Sequence, residues 1–243
     1  MFLTEVYQPR KSKHAAFTFG RMNPPTIGHA LVMNTVARAA RGGDYFIFLS
    51  PTQDAKNPLP YFEKIDFVQR MFPQHADHIV VDKNINTPVK AMQWLYEHGY
   101  TDVTMVAGDD RLQSYKKIMQ TYNNTPDHWR FRTMNTVSSG PRDGDSEVSN
   151  VSATKARALA ADNKNPNASF EAFNKITGAK GHLALQLYRA VRQGLGVLGE
   201  DAAGVGVVAK HKKMARDPRY STSMTQDVHP NTPQKNLKAF KLA

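Results

Sequence analysis

The sequence predicts an α/β fold: a doubly wound parallel sheet of about five strands, followed by C-terminal helices and an irregular basic tail. Three features predict it. Short apolar runs alternate with longer stretches of helical periodicity. The run Tyr45-Phe-Ile-Phe-Leu49 is apolar throughout, as a strand covered on both faces requires. Each strand-like run is followed by Gly, Pro, Ser, Asp or Asn, the residues that turn a chain. In order, residues 15–19 read as a strand, and 27–41 as a helix with Leu31, Val32, Thr35 and Val36 at helical spacing and Gly42-Gly43 as its stop. Residues 45–49 form the second strand, and 61–72 a helix carrying Ile65, Phe67, Val68 and Met71. Residues 78–81 are a brief strand, 88–98 a helix, 102–107 a strand, 109–122 a helix and 131–137 the last strand. Residues 168–176 and 182–193 read as amphipathic helices packing against the sheet. Repeated β-α-β units with right-handed crossovers close one sheet, and ligands of such sheets lie at the carboxyl ends of the strands where the strand order reverses. Gly20 and the segments 50–56, 84–87, 108–111 and 138–140 follow the strands and are therefore predicted to line one rim. The chain divides into an extension over 1–13, a domain over 14–195, and a Gly-containing linker with the tail over 196–243.

Composition narrows the class of function. With 243 residues and 40% apolar content, the chain can bury one sizeable core. No apolar run approaches the roughly 18 residues of a membrane span, and the start Met1-Phe-Leu-Thr-Glu5 lacks the basic-then-apolar order of a secretory signal, which predicts a cytoplasmic protein. The absence of cysteine excludes a disulfide framework, a thiol nucleophile and cysteine-ligated zinc. Nine histidines show no HExxH spacing, and no dedicated metal site is predicted. The net charge of +11 is mostly tail: residues 209–243 hold eight Lys/Arg against two Asp/Glu, leaving only +5 on residues 1–208. The tail reads either as an arm for an acidic protein or nucleic-acid partner, or as a solvated extension.

The segment with the most chemistry is Phe17-Thr-Phe-Gly-Arg-Met-Asn-Pro-Pro-Thr-Ile-Gly-His29, a strand running through a Gly/Pro turn into a helix start. A glycine at a strand end allows a sharp turn and close approach of a ligand, and a helix N-terminus offers unpaired N–H groups and partial positive charge. Both suit an anionic phosphate. His29 brings two ring nitrogens able to donate to a phosphoryl oxygen, with a cationic form within reach beside phosphate. Later, Val151-Ser-Ala-Thr-Lys-Ala-Arg157 places Ser152 and Thr154 at another helix start, with Lys155 and the planar fork of Arg157 adding charge.

Gly20-Arg-Met-Asn-Pro-Pro-Thr-Ile-Gly-His29 resembles the (T/H)xGH signature of the nucleotidylyltransferase superfamily, and 151–157 resembles its ISSTxxR motif, in the same order and at a fitting spacing. The resemblance covers roughly residues 14–176, and the segment 138–145 is most similar to nucleotidyltransferases of large tailed phages. It implies a Rossmann-like fold and a direct transfer of a nucleoside monophosphate, AMP from ATP with Mg2+ on the phosphates, to a phosphorylated acceptor. It implies catalytic roles for His29, Thr26, Lys56 and Arg157. It implies nucleotide binding by Gly20, Arg21, Asn23 and Gly28, by Gly108, Asp109 and Arg111 after the fourth strand, and by Ser152, Thr154 and Lys155. Lys56, in Lys-Asn-Pro-Leu59, reads equally as a solvated loop lysine, and Asp109 and Asp110 as acidic residues favouring a helix start, which leaves Arg111 without a structural reason. Two positions depart from the pattern. Thr26 stands where many dinucleotide-forming members have His, and Ala153 removes a hydroxyl from the second motif.

ATP is preferred to CTP because Glu147-Val-Ser-Asn-Val-Ser152 lacks the RTEGIS-type stretch of the cytidylyl branch. Other readings stay open: a cytidylyltransferase, a virion structural or interaction protein on the same fold, or a nucleic-acid binder acting through its tail. A class I aminoacyl-tRNA synthetase relative is disfavoured, since no KMSKS-like stretch is present. Trp94 and Trp129 are candidates for stacking on a ring but read better as core.

Overall fold

The computed structural model describes residues 13–140 and 152–197. Strands β1 (His14–Gly20), β2 (Asp44–Leu49), β3 (Ile79–Val80), β4 (Asp102–Ala107) and β5 (Thr133–Ser138) form one parallel sheet in the order β3-β2-β1-β4-β5. Between and after them lie α1 (Ile27–Ala39), α2 (Tyr61–Met71), α3 (Pro88–Glu97), α4 (Asp109–Tyr122), α5 (Ala153–Ala161), α6 (Pro166–Thr177) and α7 (Gly181–Gly194). This is the Rossmann-like doubly wound arrangement that the alternation predicts. The chain runs outward from β1 through β2 to β3, then crosses back to β4 on the other side of β1. The order therefore reverses between β1 and β4.

Side-chain alternation along the strands builds both halves of the core. Ala15, Phe17, Phe46, Phe48, Val103 and Met105 meet Trp94 and Leu95 of α3 and Met119 of α4 on one face. On the other, Ala16 and Val106 meet Val32 and Val36 of α1, while Ile47 and Leu49 meet Met33 of α1 and Ile65 and Val68 of α2. Trp129 is fully buried and Trp94 nearly so, both within the core.

Several expectations are corrected. The helices after residue 161 do not pack against the sheet. Phe173, Ile176, Leu187 and Val191 gather with Ala156 and Ala160 of α5 and with Phe67 of α2, because α1 and α2 already cover that face. The last strand starts at Thr133 and not at residue 131, because Phe131 is pinned to the end of α4. Its N–H donates to Asn123 Oδ1 at 2.9 Å, and Asn123 Nδ2 donates to its carbonyl at 3.2 Å. A 3-10 helix, Pro73–His78, precedes β3 and had no periodic signature. The helix read as 27–41 stops at Ala39, since Arg41 and Gly42 both take positive φ, 51° and 82°. Residues 1–12 of the extension, most of the segment 138–145, Val151, and the linker and tail from 198 onward lie outside the described residues. Among the described residues no helix is long and apolar enough to cross a membrane.

Candidate functional site

The topological switch point places the first turns of α1 and α4 beside the carboxyl ends of β1 and β4. Ser50 N–H donates to Gly20 C=O at 2.9 Å, carrying the β1–β2 ladder one residue past the strand end. The sharp turn itself is not at Gly20, as glycine chemistry suggested. A Cβ there would meet only Met22 side-chain atoms at 3.9 Å, an ordinary contact, whereas Met22 adopts φ 44° and is followed by the cis Asn23–Pro24 peptide. Met22 bends the chain, and its side chain is buried beneath the turn.

Asn23, fully enclosed, closes its amide on Leu59: Leu59 N–H donates to Oδ1 at 2.9 Å and Nδ2 donates to the Leu59 carbonyl at 3.0 Å. The side chain therefore ties the turn after β1 to the segment before α2. Thr26 caps α1 and is also enclosed. Its backbone N–H donates to His29 Nδ1 at 3.0 Å, and its hydroxyl lies 2.9 Å from the same nitrogen. An amide can only donate, so Nδ1 accepts, and the proton of the neutral ring sits on Nε2. This corrects the expectation of two donating nitrogens: one is consumed in orienting the ring, and Nε2–H is the donor.

Cations surround this turn. Arg157 Nη1 donates to the Asn23 carbonyl at 2.7 Å and Nη2 to the Thr154 hydroxyl at 3.0 Å. Burial lowers the Arg157 pKa, nearby Arg21 lowers it further, and Asp54 opposes them. Arg21 is exposed on the turn. Lys64, on α2, is fully enclosed and donates Nζ to the Ser50 carbonyl. Burial brings its pKa down to about 8, with Arg21 adding to the shift. Asp54, whose Oδ1 accepts from Lys56 N–H at 2.8 Å and Asn57 Nδ2 at 2.9 Å, is held below the usual carboxylate range chiefly by the Asn57 bond. Among the described residues Lys64 and Arg157 make no ion pair. Sequence reading missed Lys64. The available signal was positional: Tyr61, Lys64, Ile65 and Val68 share one helical face, so a lysine stands in an apolar stripe.

The structure thus brings Arg21, Asn23, Thr26, His29 and Arg157 to one turn. Gly28 lies half-buried in the first turn of α1. Lys56 is exposed in the 54–57 turn, and its backbone N–H donates to Asp54 Oδ1. Across the switch point, Gly108 is buried as the N-cap of α4. Asp109 accepts from the Ser138 hydroxyl, which ties α4 to the end of β5. Arg111 has a structural partner after all, Asp110 at 3.4 Å. Ser152 caps α5 by accepting from Lys155 N–H at 3.1 Å, and the Thr154 hydroxyl accepts from Arg157. The Lys155 side chain is exposed. Ala153, at the first position of α5, leaves the Ser152 cap intact.

Compared with known proteins, the chain matches no family model and no curated protein. Among solved structures it is similar to a bifunctional NMN adenylyltransferase/ADP ribose pyrophosphatase from Francisella tularensis, at 14% identity and a TM-score of 0.43, over 72% of this chain and 52% of that one. The chain spans about half the length of that protein. At that distance the likeness says nothing of this chain's chemistry.

Proposed function

We propose that the protein is a nucleotidyltransferase. It binds a nucleoside triphosphate, ATP by preference, as its Mg2+ complex in the β1–β4 crevice, and passes the nucleoside monophosphate to a phosphorylated small-molecule acceptor. The observation that carries this reading is the excess of cation around one helix-capping turn. Arg21 bears on both Lys64 and Arg157 there, with Asp54 as the carboxylate opposing it at Arg157, beside a His29 ring oriented through Nδ1. Like charges held close are unfavourable unless an anion joins them, and a helix N-terminus adds donors for that anion.

The reaction needs little from the protein beyond placement and charge. An acceptor phosphate oxygen, already anionic, attacks the α-phosphorus in line. The bond from that phosphorus to the bridging oxygen of the β-phosphate breaks, its electron pair leaves on pyrophosphate, and no protein group must gain or lose a proton. His29 Nε2–H donates to a non-bridging α-phosphoryl oxygen as charge develops there, and Thr26 holds the ring for that task. Arg157 and Arg21 take the β- and γ-phosphates, with Lys56, Lys155 and the α5 start completing the rim. Gly28 and Gly108 let the nucleotide approach the first turns of α1 and α4, and Asp109 and Arg111 flank the nucleoside side of the crevice. Asn23 acts by holding the turn.

The test is pyrophosphate release from each of the four nucleoside triphosphates in the presence of a panel of phosphorylated acceptors. Release that requires an acceptor, and is fastest with ATP, supports the reading. No release with any pair, together with no nucleotide binding, overturns it.

A further inference from the structure

Lys64 is the most unusual charged group among the described residues. Its side chain has no exposure to solvent, its ammonium donates to the Ser50 carbonyl, it makes no ion pair among the described residues, and the charge bearing on it is another cation, Arg21. Ammonium groups that are enclosed for stability alone are ordinarily paired with a carboxylate, because an uncompensated buried charge is costly. Methionine or leucine would fill the same apolar face of α2 more cheaply. The acceptor is equally telling. Ser50 is the first residue beyond β2, its N–H holds Gly20 C=O at 2.9 Å, and its hydroxyl is 2.6 Å from that of Thr52 at the start of the rim loop. The ammonium thus braces the junction from which the turn carrying Arg21 and the loop carrying Asp54 both depart.

We propose that Lys64 is a positioning residue of the phosphate site, its enclosed ammonium holding the ends of β1 and β2 in the shape that receives the anion and being itself stabilised when the anion binds. This rests on the nucleotide reading above. The charge bearing on Lys64 is Arg21 on the β1 turn; Arg21 acts in turn on Arg157 of α5 and on Asp54 of the rim loop, while on α2 itself Glu63 feels Asp66 and Tyr61 feels Asp82. Burial raises Glu63 to about 7, so its proton is largely lost above that pH. Burial lowers Lys64 to about 8, so in the empty site the ammonium is lost as pH rises through that value. An anion bound nearby favours the charged form. Binding above pH 8 must then take up a proton, and affinity falls as pH rises, by at most about tenfold per pH unit for one linked proton.

The experiment is calorimetric titration of the full chain with inorganic tripolyphosphate and with MgATP at about pH 8 and about pH 9.5, in buffers of differing ionisation enthalpy. The wild type is expected to take up a fraction of a proton and to weaken at the higher pH. Lys64→Met is expected to bind about tenfold or more weakly at the lower pH, with the uptake abolished. Lys64→Arg is expected to hold its affinity at both values, because a guanidinium stays charged. A side chain needed only for folding moves none of these pH profiles. If Lys64→Met fails to fold, the comparison of wild type with Lys64→Arg decides. If wild type and Lys64→Arg share one pH profile, or the wild type binds without proton uptake, the role of Lys64 is overturned and the nucleotide reading stands. If the wild type binds neither anion, both fall.

Discussion

His29 becomes a directed donor through what Thr26 does to its other nitrogen. With Nδ1 occupied by the Thr26 amide, the ring cannot flip without losing that bond, so Nε2 carries the proton and the ring orientation is fixed before any ligand arrives. His29→Ala is accordingly expected to lower turnover by roughly a hundredfold or more, the usual loss for one transition-state donor, with a smaller change in nucleotide affinity. Single-turnover kinetics beside equilibrium binding check this, and wild-type turnover at saturation refutes it. Glu63 gives a second prediction at this scale. Its folded pKa of about 7 lies above the ordinary 4.5, so between those values the folded state holds more protons than the unfolded one, and stability falls as pH rises through that window. Glu63→Gln is expected to flatten this part of the stability–pH curve and to be more stable than wild type above pH 7, measured by denaturant melts across the range.

At the scale of elements, the C-terminal helices reach the site through two glycines. Gly178 ends α6 at φ 72°, and a Cβ there would lie 2.5 Å from Ile27 Cγ2 in the first turn of α1. Gly194 ends α7, and a Cβ there would come within 2.2 Å of the Pro58 carbonyl oxygen, a backbone atom with little freedom to yield. Pro58 precedes Leu59, the residue clamped by Asn23. Gly194→Ala is therefore expected to destabilise by about 1–3 kcal/mol and to weaken nucleotide binding as well, by shifting the segment that holds the turn. A thermal melt and a nucleotide titration on one variant test both parts, and a change in neither sinks the coupling. The same glycines show what was hard to read in advance: their neighbours are more than a hundred residues away in sequence, so no local pattern points to them.

For the whole molecule, a site built from β1, α1, α2 and α5 implies that filling it stabilises the entire fold. A nucleotide at millimolar concentration with a dissociation constant of tens of micromolar contributes about 2 kcal/mol, which raises Tm by several degrees in a chain of this size. Scanning calorimetry with each nucleoside triphosphate checks this, and a larger shift with CTP than with ATP reverses the base preference. The basic tail belongs to this scale too. Removing the residues after Val208 takes away eight cations and is expected to leave the melting transition and nucleotide binding intact while weakening association with an acidic protein or nucleic acid at low salt. A truncated chain that no longer binds nucleotide shows instead that the tail completes the site.

By itself the sequence determined the alternation of elements, the parallel sheet, the rim that the strand ends form, and the strand-turn-helix course of the chain from Gly20 to His29. Each of these follows from local signals: hydrophobic period, turn chemistry and helix caps act over a few residues and are written in order along the chain. Only the tertiary structure decided that Met22 makes the bend, that Asn23 faces inward to Leu59, that Arg157 reaches the Asn23 carbonyl, and that Lys64 stands enclosed with Arg21 as the charge acting on it. It also decided that α5, α6 and α7 gather on α2 and leave that face of the sheet to α1 and α2. The reason is common to all five. Which side chain is enclosed, and beside which charge, depends on contacts between segments distant in sequence, and burial sets the cost of a charge in a way that no local pattern records.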